Sequence, residues 1–83
     1  MTNLNELIER RKQINQDIEK TSTYIKRMKA IVHEMIEKHE FYLAELNSGI
    51  LKSLNEELTI MLEQNVTREE AEAIIAAQKE QAA

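Results

Sequence analysis

One apolar stripe constrains this chain more than anything else in it. Leu4, Leu7, Arg11, Ile14, Ile18, Thr21, Ile25, Met28, Val32, Met35, His39, Tyr42 and Leu46 follow one another at alternating spacings of three and four residues. All but Arg11, Thr21 and His39 are apolar or Tyr. A mean period of 3.5 keeps one seam aligned along a helix, which is the pattern of a coiled coil. Such a helix would reach ~65 Å. A chain of 83 residues has little else with which to cover it. The stripe therefore predicts a partner.

The punctuation is sparse. Pro is absent and Gly49 is the one glycine, so helix is permitted nearly everywhere. The spacing predicts a first helix over 3–47, with Thr2, Asn3 and Asn5 as N-cap choices. Glu6, three residues after Asn3, suits the acidic member of a capping box. Asn47-Ser48-Gly49 supplies the break, because Gly and Asn tolerate the left-handed conformation that ends helices. Extending the seam past Leu46 would reach Gly49, Ser53, Glu56 and Glu63, which is no apolar face. The next apolar set is Ile50 or Leu51, Leu54, Leu58, Met61 and Leu62. This shift of phase predicts a turn at 47–49 and an antiparallel second helix over 50–64. Val66-Thr67-Arg68-Glu69-Glu70 then reads as a hydrophobic residue, a Thr N-cap and a Glu at N3, opening a third helix over 68–80. Ala71, Ile74, Ile75 and Gln78 lie on its apolar side.

The expected fold class is all-α, a single domain over residues 1–83. It combines a long N-terminal coiled-coil helix, an αα-hairpin return and a short third helix, assembled as an oligomeric helical bundle. A second helix of ~22 Å covers only about Val32 to Leu46 of the first. Leu4, Leu7, Ile8, Arg11, Ile14, Ile18, Ile25 and Met28 are thereby assigned to an oligomer interface. Asp17 of a second chain offers Arg10 an ion pair only if the helices run antiparallel, so an antiparallel homodimer is preferred. Polar residues at seam positions, here Arg11, Thr21 and His39, commonly fix register.

Chemistry is scarce. Without Cys there is no disulfide framework and no thiolate metal site. His33 and Glu37 share a helix face but supply two ligands at most, so no metal is expected. A single Gly builds no phosphate loop, no nucleophile elbow is present, and no enzyme activity or cofactor is expected. Two basic clusters, at 10–12 and 26–29, allow a nucleic-acid-binding regulator as an alternative. A net charge of −4 and a pI of about 5.2 weigh against it. A further alternative is an oligomer that sequesters an anionic ligand between Arg11 or Lys29 of different chains.

The reading preferred is a homo-oligomeric protein–protein interaction module: an adaptor, chaperone or inhibitor of a protein target. Tyr24, Lys26, Arg27, Lys29 and Phe41 are its candidate partner-binding residues. Residues 1–20 lack the apolar core of a signal peptide, and no run approaches a membrane span. A cytoplasmic protein without a membrane partner is expected, complete from Met1.

Overall fold

The computed structural model describes residues 3–82 and, among them, contains three helices and no strand: α1 (Leu4–Glu37), α2 (Phe41–Gln64) and α3 (Arg68–Ala82). The all-α class holds, but the expected helix bounds do not. The first helix stops ten residues short of Asn47, and Asn47, Ser48 and Gly49 lie inside α2.

The reversal falls at Lys38-His39-Glu40. His39 takes φ 63°, a left-handed conformation in which His is over-represented among non-glycine residues. Its N–H donates to the Ile36 carbonyl at 3.1 Å, and the Glu40 N–H donates to the Met35 carbonyl at 2.8 Å. Those two bonds make a Schellman termination, which satisfies carbonyls that the helix end would otherwise leave unpaired. Lys38 and Glu34 form a 2.9 Å ion pair over the last turn. The His39 ring meets Phe41 edge-on at 5.6 Å. The polar residue at the seam's eleventh position is thus the hinge of the hairpin and not a core position between helices. Gly49 has no positive φ, and a Cβ added there would meet nothing within 4 Å.

At the other end of α1, Asn3 is the N-cap and its side-chain oxygen accepts from the Glu6 N–H at 2.8 Å. Of the other two cap candidates, Thr2 lies outside the described residues and Asn5 lies within the first turn of α1. Asn65 closes α2 in the left-handed region, with φ 57°. The start of α3 has the reciprocal capping box its sequence predicts. The Thr67 N–H donates to Glu70 Oε1 at 3.0 Å, and Thr67 Oγ1 accepts from the Glu70 N–H at 3.3 Å.

Moving the turn from 47–49 to 38–40 lengthens α2 to 24 residues, about 36 Å at the usual rise. Folded back, it covers α1 from Met35 down to Ile14. Ile14, Thr21, Ile25, Met28 and Val32 of α1 are therefore buried, as are Ala44, Leu54 and Met61 of α2. Ile25, Met28 and Leu54 form the central cluster, flanked by Leu51 and Leu58. This corrects the assignment of Ile14, Ile25 and Met28 to an intermolecular interface. Ile14 is 1% exposed within the single chain, and Ile18 is half-buried. The antiparallel partner of the seam is the chain's own second helix. Arg10, expected to meet Asp17 of a second chain, instead meets Glu70 of α3 at 2.9 Å.

The molecule is elongated and flat, 56 × 31 × 15 Å. Its radius of gyration is 15.8 Å, against about 12 Å for a compact chain of this length. α2 lies between its neighbours, packed on α1 along its length and on α3 over its second half.

Two stability measurements follow. Gly49→Ala is expected to raise stability by ~1 kcal/mol, since Gly in a helix interior is entropically costly and the Cβ has room. Were Gly49 the helix-ending residue, the same change would destabilise in a urea melt. Thr21 is 1% exposed and its hydroxyl has no hydrogen-bond partner. Thr21→Val is expected to raise stability by ~1 kcal/mol by removing that desolvated group; a lowered melting temperature would reject this account.

Candidate interaction surface

Among the described residues, two groups of exposed apolar side chains share a face or a helix end. The first is the free end of α1, which projects past the end of α2. Leu4, Leu7 and Ile8 there are 71%, 52% and 43% exposed. Arg11, at the base of the projection, donates to Asn65 Oδ1 at 2.6 Å and is itself exposed. Of the residues expected at an oligomer interface, these four remain available; Ile14, Ile25 and Met28 do not.

The second surface is a groove between α1 and α2, located by residue spacing. Asp17, Tyr24 and Ile31 lie seven apart on α1, and Glu57, Ile50 and Leu43 lie seven apart on α2. Residues seven apart point within ~20° of one another on a helix. Arg68 joins the two rows: its backbone N–H donates to Asp17 Oδ2 at 3.0 Å, and its Nε donates to Glu57 Oε2 at 2.9 Å. Both rows therefore border the same groove. The first turn of α3 roofs it at Asp17 and Glu57. Toward the hairpin turn the roof ends, and Tyr24, Ile31, Leu43, Leu46 and Ile50 are exposed. Leu46 and Ile50 are each 52% exposed. On α2 the same side of the helix is thus sealed at Glu57, under the first turn of α3, and bare from Ile50 toward the hairpin turn.

Ion pairs and caps fix the roof. Asp17 places a carboxylate at the positive end of the α3 dipole, 51 residues away in sequence. Glu57, with its side chain only 13% exposed, is neutralised by Arg68, which also reaches Glu72 at 3.3 Å. Arg10 clamps Glu70 from the other side. The Arg10 guanidinium, then the backbone and hydroxyl of Thr67, hold the Glu70 carboxyl down at about 2. Sequence reasoning missed this cluster. The Thr67–Glu70 box was legible as a local pattern, but Asp17, Glu57 and Arg68 meet only because of where the turn falls.

The candidate partner-binding residues are not brought together. Tyr24 and Arg27 border a shallow hollow with Arg68. Lys26 and Lys29 lie on a different side of α1 from Arg27, so the 26–29 cluster is split. Phe41 is exposed beside His39 at the hairpin turn, about 20 Å along the helix axis from Tyr24. The 10–12 cluster is engaged within the chain: Arg10 with Glu70, Arg11 with Asn65 and Lys12 with Glu9 at 3.5 Å. His33 and Glu37 form an exposed pair at 3.1 Å. Among the described residues no group of three His, Cys, Asp or Glu converges on a metal position, and no helix is long and apolar enough to cross a membrane.

No protein-family model, no curated protein and no solved structure matches this chain.

The Glu70 cluster generates a pH dependence. A carboxyl held below its ordinary value of 4.5 stabilises the fold above that value, and the contribution fades as pH falls toward about 2. In thermal melts, wild type is expected to exceed Glu70→Gln in stability at pH 5, with the gap closing by pH 2. A gap that stays constant over that range would reject the assignment.

Proposed function

We propose that this chain is a helical protein–protein interaction module that self-associates and acts by occupying a polypeptide target, as an adaptor, chaperone or inhibitor does. One observation carries the reading. The accessible surface is 6428 Å² for 9.7 kDa, where a folded monomer of that mass averages about 5,100 Å². Much of that surface is apolar. Among the described residues, twelve large hydrophobic side chains are at least 40% exposed, many at helical spacing, which is the character of an interaction surface. The projecting end of α1 suits a target helix. Its Leu4 and Leu7 continue the coiled-coil seam beyond the point where α2 can pair with it.

Nucleic-acid binding has less support. The arginines of its first cluster are engaged by α3 and the turn before it, and the second cluster is split between helix faces. A site for an anionic ligand between chains would need Arg11 released from Asn65.

Sedimentation equilibrium at micromolar concentration tests the reading. A mass above 9.7 kDa is expected, and a photo-crosslinker at Leu7 is expected to give a discrete adduct in source cells that Leu4→Glu abolishes. A monomer that yields no adduct would reject it.

A further inference from the structure

We infer that the bare half of the α1–α2 groove binds a second copy of this chain, face to face and two-fold symmetric, with like helices antiparallel. This rests on the interaction-module reading and names the surface and its occupant.

Area indicates the occupant. The chain exposes about 1,300 Å² more than a monomer of its mass should. A stable interface of ordinary size removes about 800 Å² from each partner. The excess is therefore enough for one complete protein–protein interface on every copy. The groove also has the form such contacts need. It is apolar along Leu43, Leu46 and Ile50 on α2 and along Tyr24 and Ile31 on α1, all exposed. Two helices already form its walls, so two copies stacked on this face become four helices around one seam. That is the smallest arrangement in which both grooves are buried.

The position of α3 selects the symmetry. Its first turn stands on the same face, fixed by the Arg68 bonds to Asp17 and Glu57. A two-fold axis along the helices would drive the two copies of this turn into each other. An axis across the helices, at the level of Ile31, places them at opposite ends. The contact is then limited to the bare halves, with the α3 turns as stops. Ile31 meets its own copy at the axis, and Leu46 meets Ile50. Arg27 and Glu34 lie about one turn to either side of Ile31 on the outer flank of α1. Antiparallel crossing sets Arg27 of one copy beside Glu34 of the other, and the reverse. Glu34 also pairs with Lys38 of its own chain, and its second carboxylate oxygen is the one this rim offers to Arg27 of the other copy.

The test uses the full chain, which has no Cys of its own. Ile31→Cys is expected to form a disulfide-linked dimer under mild oxidation, while Leu7→Cys on the projecting end is not. Ile50→Glu is expected to weaken dimerisation about a hundredfold by forcing an unpaired charge into the seam. Its far-UV circular dichroism should stay helical, because Ile50 is already half in solvent. Arg27→Glu should weaken the dimer and Glu34→Arg in the same chain should restore it. A wild-type monomer would overturn both this inference and self-association itself. A dimer that links through Leu7→Cys and ignores Ile50→Glu would overturn this face alone and leave the interaction-module reading standing.

Discussion

The fold depends on a mismatch between the length of an apolar seam and the length of helix available to cover it. The seam on α1 extends from Leu4 to Met35, and α2 reaches back only as far as about Ile14. Whatever lies within that reach becomes core, and whatever lies outside it stays in water. Burial of apolar area is the main favourable term in folding. In this chain it is concentrated in a single strip between two helices, with Ile14 and Met61 fully enclosed at one end and Val32 and Ala44 buried at the other. The strip has no second layer above it except where α3 crosses, so the hairpin presents broad faces to solvent. Small all-helical chains commonly resolve this shortage by association.

Polar contacts decide where the third helix sits. Its apolar face is short: Ala71 is fully buried and Ile74 and Ile75 are half-buried. That is too little to orient a helix by packing alone. Orientation comes from its amino end, where Asp17, Glu57 and Arg10 each reach a group on Arg68 or Glu70. Half-exposed ion pairs contribute little stability individually. Here they act together with a capping box and a helix dipole, and their role is direction more than strength.

Much of the architecture was legible in the residues. The absence of Pro, the 3.5-residue spacing and the Thr67–Glu70 box gave three helices, a hairpin and the start of α3 correctly. The sequence pattern misplaces the turn because its strongest helix breaker, Gly49, is a helix-interior residue. The weaker one, His39, carries the left-handed conformation. A seam that continues in phase across the true turn, through His39, Tyr42 and Leu46, concealed the reversal. With the turn moved, α2 gains nine residues and the burial of Ile14, Ile25 and Met28 follows. The exposed projection at Leu4, Leu7 and Ile8 was anticipated for the right reason, that nothing in the chain is long enough to cover it. The groove was not, because it exists only between α1 and the longer α2. The Asp17–Arg68–Glu57 junction links residues whose proximity no local pattern encodes.

The concentration of polar contacts at one end of α3 has a mechanical consequence. Bonds to Arg68 and Glu70 fix its root, while residues 76–81 are exposed along the flank of α2, where Ala76 and Lys79 border a hollow with Ser53 and Glu56. The separation of Asp17 from Glu57 at that root sets the width of the trough beside it. Any change at that root would therefore be felt by both long helices at once, because Arg68 by itself bonds to α1 through Asp17 and to α2 through Glu57.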